Sequence, residues 1–435
     1  MQQTMQKSLF PEIERREKDD WTFNGANTRQ LTHCYHDYPA RMIPQIAAKL
    51  LDMFGNNAKL LFDPYCGTGT SLVEATLRGI NSVGTDLNPL ACLIAKAKTT
   101  VADLEKVNMQ ISEFQKFSLK SKPVSNSSLP RIGGIKNLEF WFKTEVIEKL
   151  ARLRNFIEEI EDDSVQLFFK IAFSETVRES SNTRNSEFKL FRYKPEKLEN
   201  FTPDVFGIMT SKLFRNRRGL MEFANVVNGN GFKSKAMVCS FNSVISIPEE
   251  YISPSSVDIV ITSPPYGDSR TTVAYGQYSR LSAAWLDMKE PEKTDRKLMG
   301  GQKAKRFNEF PSNELNKTID IIRQRDTKRA LDVVAFYNDL LDSIENVSNV
   351  IKPGGYACYV IANRKVKNTV LPTDNAISDF FEYFGFRKIK TFKRSIPNKR
   401  MALRNSPSNV PGEVDNTMVK EFIVVMRKEK PPKLI

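Results

Sequence analysis

Long apolar runs are missing from this 435-residue chain. None approaches the roughly 18 consecutive apolar residues that a membrane-spanning helix needs, so no such span is expected. Cysteine is sparse and scattered: Cys34, Cys66, Cys92, Cys239 and Cys358 are odd in number and never spaced C-x-x-C. That pattern argues against a disulfide framework and against a four-cysteine zinc site. Only two histidines occur, His33 and His36, flanking Cys34. Nothing nearby completes four ligands, and no metal is expected. The first 20 residues lack the apolar stretch of a signal peptide, which makes the cytoplasm the expected location.

What is present is a basic, foldable chain. Apolar residues make up 40%, enough for a packed core and too many for a wholly disordered polymer. The length fits two or three domains. Lys and Arg total 65 against 51 Asp and Glu, a formal charge of +14. Such a balance attracts a polyanion through counterion release, or simply aids solubility. Distribution favours the first reading. Residues 387–404 carry Arg387, Lys388, Lys390, Lys393, Arg394, Lys399, Arg400 and Arg404 with no acid among them, and a second acid-free cluster holds Lys212, Arg215, Arg217 and Arg218. Clustering of one sign is what a phosphate-contacting face requires.

Periodicity outlines an α/β core with interruptions. After a loose arm (1–30), Ile43, Ile46, Ala47, Leu50 and Leu51 recur at helical spacing. A short apolar run ends in Asp63, a helix over 71–78 is closed by Gly79, a second strand ends in Asp86, and an Ala-rich helix covers 90–98. Strand, helix, strand, helix predicts a parallel α/β sheet. Residues 101–234 then read as a mainly helical insertion, with helices over 140–160 and 165–177. The strand pattern resumes at 235–239 and 257–262. A charged insertion covers 287–330. A helix over 331–350 leads into a tight turn at 352–355, and the last strands fall at 356–361, 387–394 and 421–426.

Two motifs carry chemistry. D-P-Y-C-G-T-G-T spans 63–70, between a strand and a helix, and Gly67 and Gly69 let backbone approach a ligand closely. A dinucleotide fingerprint would want a third glycine where Leu72 stands. S-P-P-Y spans 263–266, directly after a strand. Pro264 and Pro265 remove two N–H donors and fix φ twice, giving a rigid loop whose carbonyls are free to accept. Tyr266 adds an aromatic face and Ser263 a polar group. Such a loop suits an exocyclic amine on a heterocycle.

Together these motifs resemble the amino-group DNA methyltransferases that use S-adenosylmethionine, with S-P-P-Y similar to the cytosine-N4 branch. The resemblance covers about 30–100, 235–286 and 331–428. It implies a Rossmann-like seven-stranded sheet whose last strand is antiparallel, with a mainly helical inserted domain. By this resemblance 31–100 is the cofactor-binding part of the core, 101–234 a candidate target-recognition insertion, 235–286 the catalytic part, and 331–435 the C-terminal part of the core. H-D-Y-P-A-R at 36–41 is similar to an element that closes over the methionine end of the cofactor, which brings in Tyr38 and Pro39. Asp63 and Pro64 would meet the cofactor's amino group, Asp86 and Leu87 its ribose, and Asn242 its adenine.

The implied reaction needs no attacking thiol, so Cys66 is read as packing. The Pro264 carbonyl and Ser263 would accept the hydrogens of the target amine, and Tyr266 would stack on a base flipped out of duplex DNA. The basic clusters, represented by Lys212, Arg215, Arg217, Arg218, Lys393, Arg394, Lys399 and Arg400, would contact phosphates. A restriction-modification role, with a cognate endonuclease as a functional partner, follows only from the resemblance. Adenine-N6 methylation of DNA, amino-group methylation of RNA, and a non-catalytic DNA-binding subunit are the competing readings.

Overall fold

The structure is a computed structural model that describes residues 20–120, 132–184, 189–231, 233–267, 274–396, 404–405, 415–416 and 420–429. Seven strands form one sheet: β1 (Leu60–Asp63), β2 (Asn81–Thr85), β3 (Ala236–Cys239), β4 (Val257–Thr262), β5 (Ile351–Ile361), β6 (Phe386–Ser395) and β7 (Lys420–Lys428). Their spatial order is β3-β2-β1-β4-β5-β7-β6. β1 to β5 pair in parallel, and β7 runs antiparallel between β5 and β6. The central strands are near-continuous apolar runs because both faces are covered, as parallel sheets require. In β4, V-D-I-V-I-T, every residue except Asp258 is buried.

The chain starts mid-sheet at β1, builds outward to β3, and returns to lay β4 on the other side of β1. The strand order therefore reverses between β1 and β4. A crevice opens outside the carboxyl ends of such a pair, and ligands bind there. Residues 352–355, expected as a tight turn, instead lie inside β5. Val257 pairs with Ile351 and Ile259 with Tyr356, so β5 carries a bulge at this point, and Gly354 takes φ +87° within it.

Helices α1 (Pro44–Phe54), α2 (Thr70–Thr76) and α3 (Pro89–Thr99) belong to the sheet layer. The insertion supplies α4 (Leu104–Leu119), α5 (Thr144–Glu158), α6 (Asp163–Ser180) and α7 (Val205–Gly229). The helix expected over 140–160 is broken. A short turn covers Leu138–Trp141, Phe142 is extended at φ −141° and ψ 150°, and α5 starts two residues later. Asp162 caps α6 by accepting the N–H groups of Ser164 and Val165. The 25 residues of α7 form the longest helix. Gly219 in its middle meets the 31–34 turn so closely that a Cβ would lie 2.4 Å from the Leu31 carbonyl oxygen.

Helix α8 (Tyr275–Trp285) comes after β4 in the chain and docks on this helical unit. Its last residue, Trp285, is fully buried, edge-on to Phe142 at 5.9 Å and to Phe173 at 6.3 Å. The stretch expected as a polar insertion (287–330) contains a real packing element. Helix α9 (Asn313–Arg325) buries Leu315, Ile319 and Ile322 in the same core as Val333, Tyr337 and Leu340 of α10 (Thr327–Val350). Helix α11 (Thr373–Tyr383) completes that layer. Among the described residues no helix is long and apolar enough to cross a membrane.

Trp285 fixes the helical unit against α8, so Trp285→Ala should destabilise the protein by about 3–5 kcal/mol. Urea unfolding followed by circular dichroism should show a lower midpoint at unchanged slope. A midpoint within error of wild type would mean that the two layers are held elsewhere.

Candidate active site

The reversal point gathers the first motif. Asp63 ends β1 and is buried. Its Oδ1 accepts the Thr262 hydroxyl at 2.5 Å and the Tyr65 N–H at 3.1 Å, and its Oδ2 accepts the Ser71 hydroxyl. Burial pushes this carboxyl up to about 6 despite the three donors. Pro64, Tyr65, Cys66, Gly67 and Thr68 then line an open cleft. Gly69 does not line it. Gly69 sits at φ +75° against α3, where a Cβ would come within 2.9 Å of the Ala95 Cβ. The second glycine of the motif thus serves helix packing.

Asp86 follows β2 and ties the glycine turn down. Its Oδ2 accepts the Gly67 N–H at 3.0 Å and its Oδ1 the Asn88 N–H at 2.7 Å. Desolvation raises it too, to about 6, against those backbone hydrogen bonds. Leu87 lines the same wall. Cys66 is buried and its thiol is pushed well above the ordinary range by desolvation, the opposite of an activated nucleophile.

The H-D-Y-P-A-R segment forms the next wall through Tyr38, Pro39, Ala40 and Arg41. Asn88 organises it, donating from Nδ2 to the Tyr38 hydroxyl and to Ser279 Oγ, both at 2.8 Å. Tyr38 stacks on Tyr275 at the start of α8, with centroids 5.9 Å apart and planes at 16°. His33 Nε2 lies 3.0 Å from Glu74 Oε1, and burial pushes both imidazoles, His33 and His36, down to about 4. Among the described residues no three His, Cys, Asp or Glu side chains converge on a point that could hold a metal.

Beyond β3 the wall is Phe241, Asn242, Ser243 and Val244, with Asn242 Oδ1 accepting the Val244 N–H at 3.1 Å. Leu298 and Met299 reach in from the 287–330 segment. They are held there by the Gly300 N–H, which donates to Asp339 Oδ2 of α10 at 2.7 Å. Together these segments wall a cleft that is open to solvent at its mouth.

The second motif meets the first in this cleft. Ser263 and Pro265 line it, while Pro264 is buried in the loop and Tyr266 lies beside it. Ser263 Oγ donates to the Val360 carbonyl at 3.1 Å and lies 3.3 Å from the Tyr266 hydroxyl. Tyr266 donates to Glu421 Oε1 at 2.8 Å, and Glu421 Oε2 accepts from Arg394 Nη1 at 2.9 Å.

That pairing relocates one residue expected to contact phosphate. Arg394 is buried behind the S-P-P-Y loop, its charge used by Glu421. Lys393 points the other way and is exposed; Lys399 and Arg400 lie outside the described residues. On α7 the four expected contacts also differ from one another. Lys212 pairs with Glu179, and Arg215 with the buried Glu175 and the Tyr35 carbonyl. Arg217 donates to Asn108, and Arg218 is exposed. Cleft residues that motif reading passed over are Asn88, Tyr275, Leu298, Met299 and Arg41. Arg41 sits inside the quoted H-D-Y-P-A-R motif, and Asn88 follows Asp86 by two residues. Leu298 and Met299 lie in a charged stretch with no such signal.

The comparisons with known proteins agree with the geometry. Residues 29–118 match the UPF0020 family, described as an RMKL-like methyltransferase domain. Over 423 residues the chain is 41% identical to the Type II methyltransferase M.MvaI of Kocuria varians, covering 93% of each chain. It is 39% identical over 95 residues to the Type II methyltransferase M.MjaII of Methanocaldococcus jannaschii, 21% of this chain and 18% of the relative. The Type II methyltransferase M.BsoBI of Geobacillus stearothermophilus is 23% identical over 426 residues, 84% of this chain and 81% of the relative. With near-complete coverage at that identity, and with the glycine turn and the S-P-P-Y loop in one cleft, the chain belongs to the Type II methyltransferases, the S-adenosylmethionine-dependent DNA methyltransferase family its motifs resemble.

Proposed function

We propose that this enzyme methylates the exocyclic N4 of cytosine at a specific site in duplex DNA, as the modification partner of an endonuclease of the same specificity. One observation supports the reading above the others: Ser263 and Pro265 share a cleft with Asp63, Gly67 and Asp86. A donor held by the glycine turn and an amine held by the proline loop are thereby neighbours.

The cleft suits S-adenosylmethionine in its residue chemistry. Asp63 offers a carboxylate to an ammonium, Asp86 offers acceptors to a ribose diol, and Tyr38, Pro39 and Leu87 offer apolar surface between them. Phe241 and Val244 suit a purine face, and Asn242 suits its amino edge. Thr68 lines the cleft, and among the described residues its buried hydroxyl has no hydrogen-bond partner. Bound there, the cofactor supplies an electrophilic methyl group on a sulfonium.

The chain's own groups prepare the amine. An exocyclic amine is a poor nucleophile because its lone pair is delocalised into the ring. Ser263 commits its proton to the Val360 carbonyl, which leaves the lone pairs of Oγ as acceptors. With the Pro264 carbonyl, that gives two acceptors for two amine hydrogens, favouring a tetrahedral nitrogen. Proximity and orientation then supply most of the acceleration. The Tyr266 ring, its hydroxyl fixed by Glu421, presents a set plane for stacking. Lys393 and Arg218 are exposed cations suited to phosphate, as Lys399 and Arg400 are by type.

Mass spectrometry of nucleosides from duplex DNA treated with the enzyme tests the proposal; N4-methylcytosine is expected. N6-methyladenine, or methylation of tRNA in place of DNA, would replace it. Tyr266→Ala should keep cofactor affinity yet lower turnover by about 10- to 100-fold, the worth of one stacked base; unchanged turnover removes Tyr266 from the site.

Cofactor affinity should also depend on pH. The Asp63 carboxyl titrates near 6 when no cation faces it. A cationic ligand needs the charged form, so affinity should be flat above about pH 6 and fall up to about tenfold per unit below it. Calorimetry between pH 5 and 8, on wild type and on Asp63→Asn, should show this acid limb and then its loss. An unaltered limb in the variant would place the titrating group elsewhere.

A further inference from the structure

We propose that Ser343 and Asn346 of α10 are positioning residues for S-adenosylmethionine. They set the distance between the cleft walls that follow β1 and β3, and with it the grip on the purine end of the cofactor. The inference rests on the cofactor reading of the cleft and deepens it.

The two walls are not neighbours in the sheet. In the order β3-β2-β1, strand β2 stands between them. Thr85, at the end of β2, holds Phe241: its Oγ1 donates to the Phe241 carbonyl at 2.7 Å and accepts the Phe241 N–H at 2.9 Å. Past Phe241 the ties run to α10. Ser343 Oγ accepts the Tyr65 hydroxyl at 2.5 Å and lies 3.1 Å from Ser243 Oγ. One buried hydroxyl thus bridges the D-P-Y-C-G-T-G-T turn and the loop after β3. Asn346 Nδ2 then donates to the Ser243 and Val244 carbonyls at 2.9 and 3.2 Å.

Asp339, Ser343 and Asn346 stand at i, i+4 and i+7, a single stripe along α10. The stripe is polar where packing alone needs no polar group, for the flanking Leu340, Ile344 and Val347 lie in the core. A buried hydroxyl is costly unless it is hydrogen-bonded, and here the partners belong to the cleft. Tyr65, Ser243 and Val244 line it, and Gly300, held by Asp339, follows Leu298 and Met299, which line it too. Ser343 and Asn346 do not line the cleft themselves, so they act on a ligand through its walls. Asp63, at the other end, is fixed by Thr262 and Ser71 without α10. Loss of the stripe should therefore loosen the purine end and leave the reacting end in place.

Calorimetry with S-adenosylmethionine and S-adenosylhomocysteine on the full-length protein, together with methyl transfer to unmodified genomic DNA, tests the assignment. Ser343→Ala and Asn346→Ala should each weaken both ligands by about 5- to 10-fold, the worth of one hydrogen bond, with kcat and the KM for DNA within about twofold of wild type. Tyr65→Phe removes the Ser343 bond from its other end and should show the same split, non-additive with Ser343→Ala. Ser343→Thr, which restores the hydroxyl, should recover wild-type affinity. A lower urea midpoint with unaltered cofactor affinity, or equal losses in affinity, kcat and the KM for DNA, would make the stripe merely structural and overturn the assignment. Wild type that binds neither ligand would overturn the cofactor reading itself, a result distinct from the failure of the stripe.

Discussion

The hydrogen bond from Thr262 to Asp63 joins the last residues of two neighbouring parallel strands, and the geometry of the cleft depends on it. Asp63 accepts from β4 through Thr262, from α2 through Ser71, and from the glycine turn through the Tyr65 N–H. One carboxylate thus sets three elements at once. Each hydrogen bond to a charged group contributes about 1.5–3 kcal/mol, which offsets the cost of burying the acid. The positional effect matters more than the energy. The glycine turn follows Asp63 directly and the proline loop follows Thr262 directly, so the distance between the two functional loops is the distance between adjacent strands.

A second constraint carries the helical insertion into register with that cleft. Helix α8 begins with Tyr275, stacked on Tyr38 at the cleft wall, and ends with Trp285, buried among helical-core aromatics. One rigid rod of 11 residues therefore spans from cleft wall to helical core. Asn88 reinforces its near end, bonding Tyr38 and Ser279 with one amide nitrogen. Because α8 also follows the S-P-P-Y loop in the chain, a shift of the helical unit would be felt at both walls of the cleft. The insertion is structurally coupled to the site.

Much of this was legible in the sequence, and the reasons differ by element. Strands ending in Asp63, Thr85 and Thr262 were visible because buried parallel strands are short apolar runs, stopped by polar residues where the sheet meets the cleft. Helix α7 was hidden because its interior glycines, Gly207 and Gly219, depress helix propensity. Tertiary contact overrides that: Gly219 is there to let Leu31 and Cys34 approach. Leu298 and Met299 were hidden for a different reason. Their position comes from tertiary contacts that no periodicity encodes, the Gly300 N–H reaching Asp339 and Met299 packing into the core with α9 and α10.

Basic residues were the least legible, and strand geometry says why. In β6, Lys393 and Arg394 are adjacent in sequence but face opposite sides of the sheet, so a run of positive charge is split by the pleat. Arg394 lies directly across from Glu421 on β7, the acid that holds the Tyr266 hydroxyl. A cross-strand pair of opposite charge is an ordinary sheet contact, yet here its far end is a ring beside the proline loop. Arg394 therefore pairs with Glu421 from within the sheet, behind the Tyr266 hydroxyl, while the exposed Lys393 places its ammonium over the Phe422 ring. Two neighbours in one basic run thus face opposite sides of the sheet, and only the strand's alternation, together with the acid opposite, tells them apart.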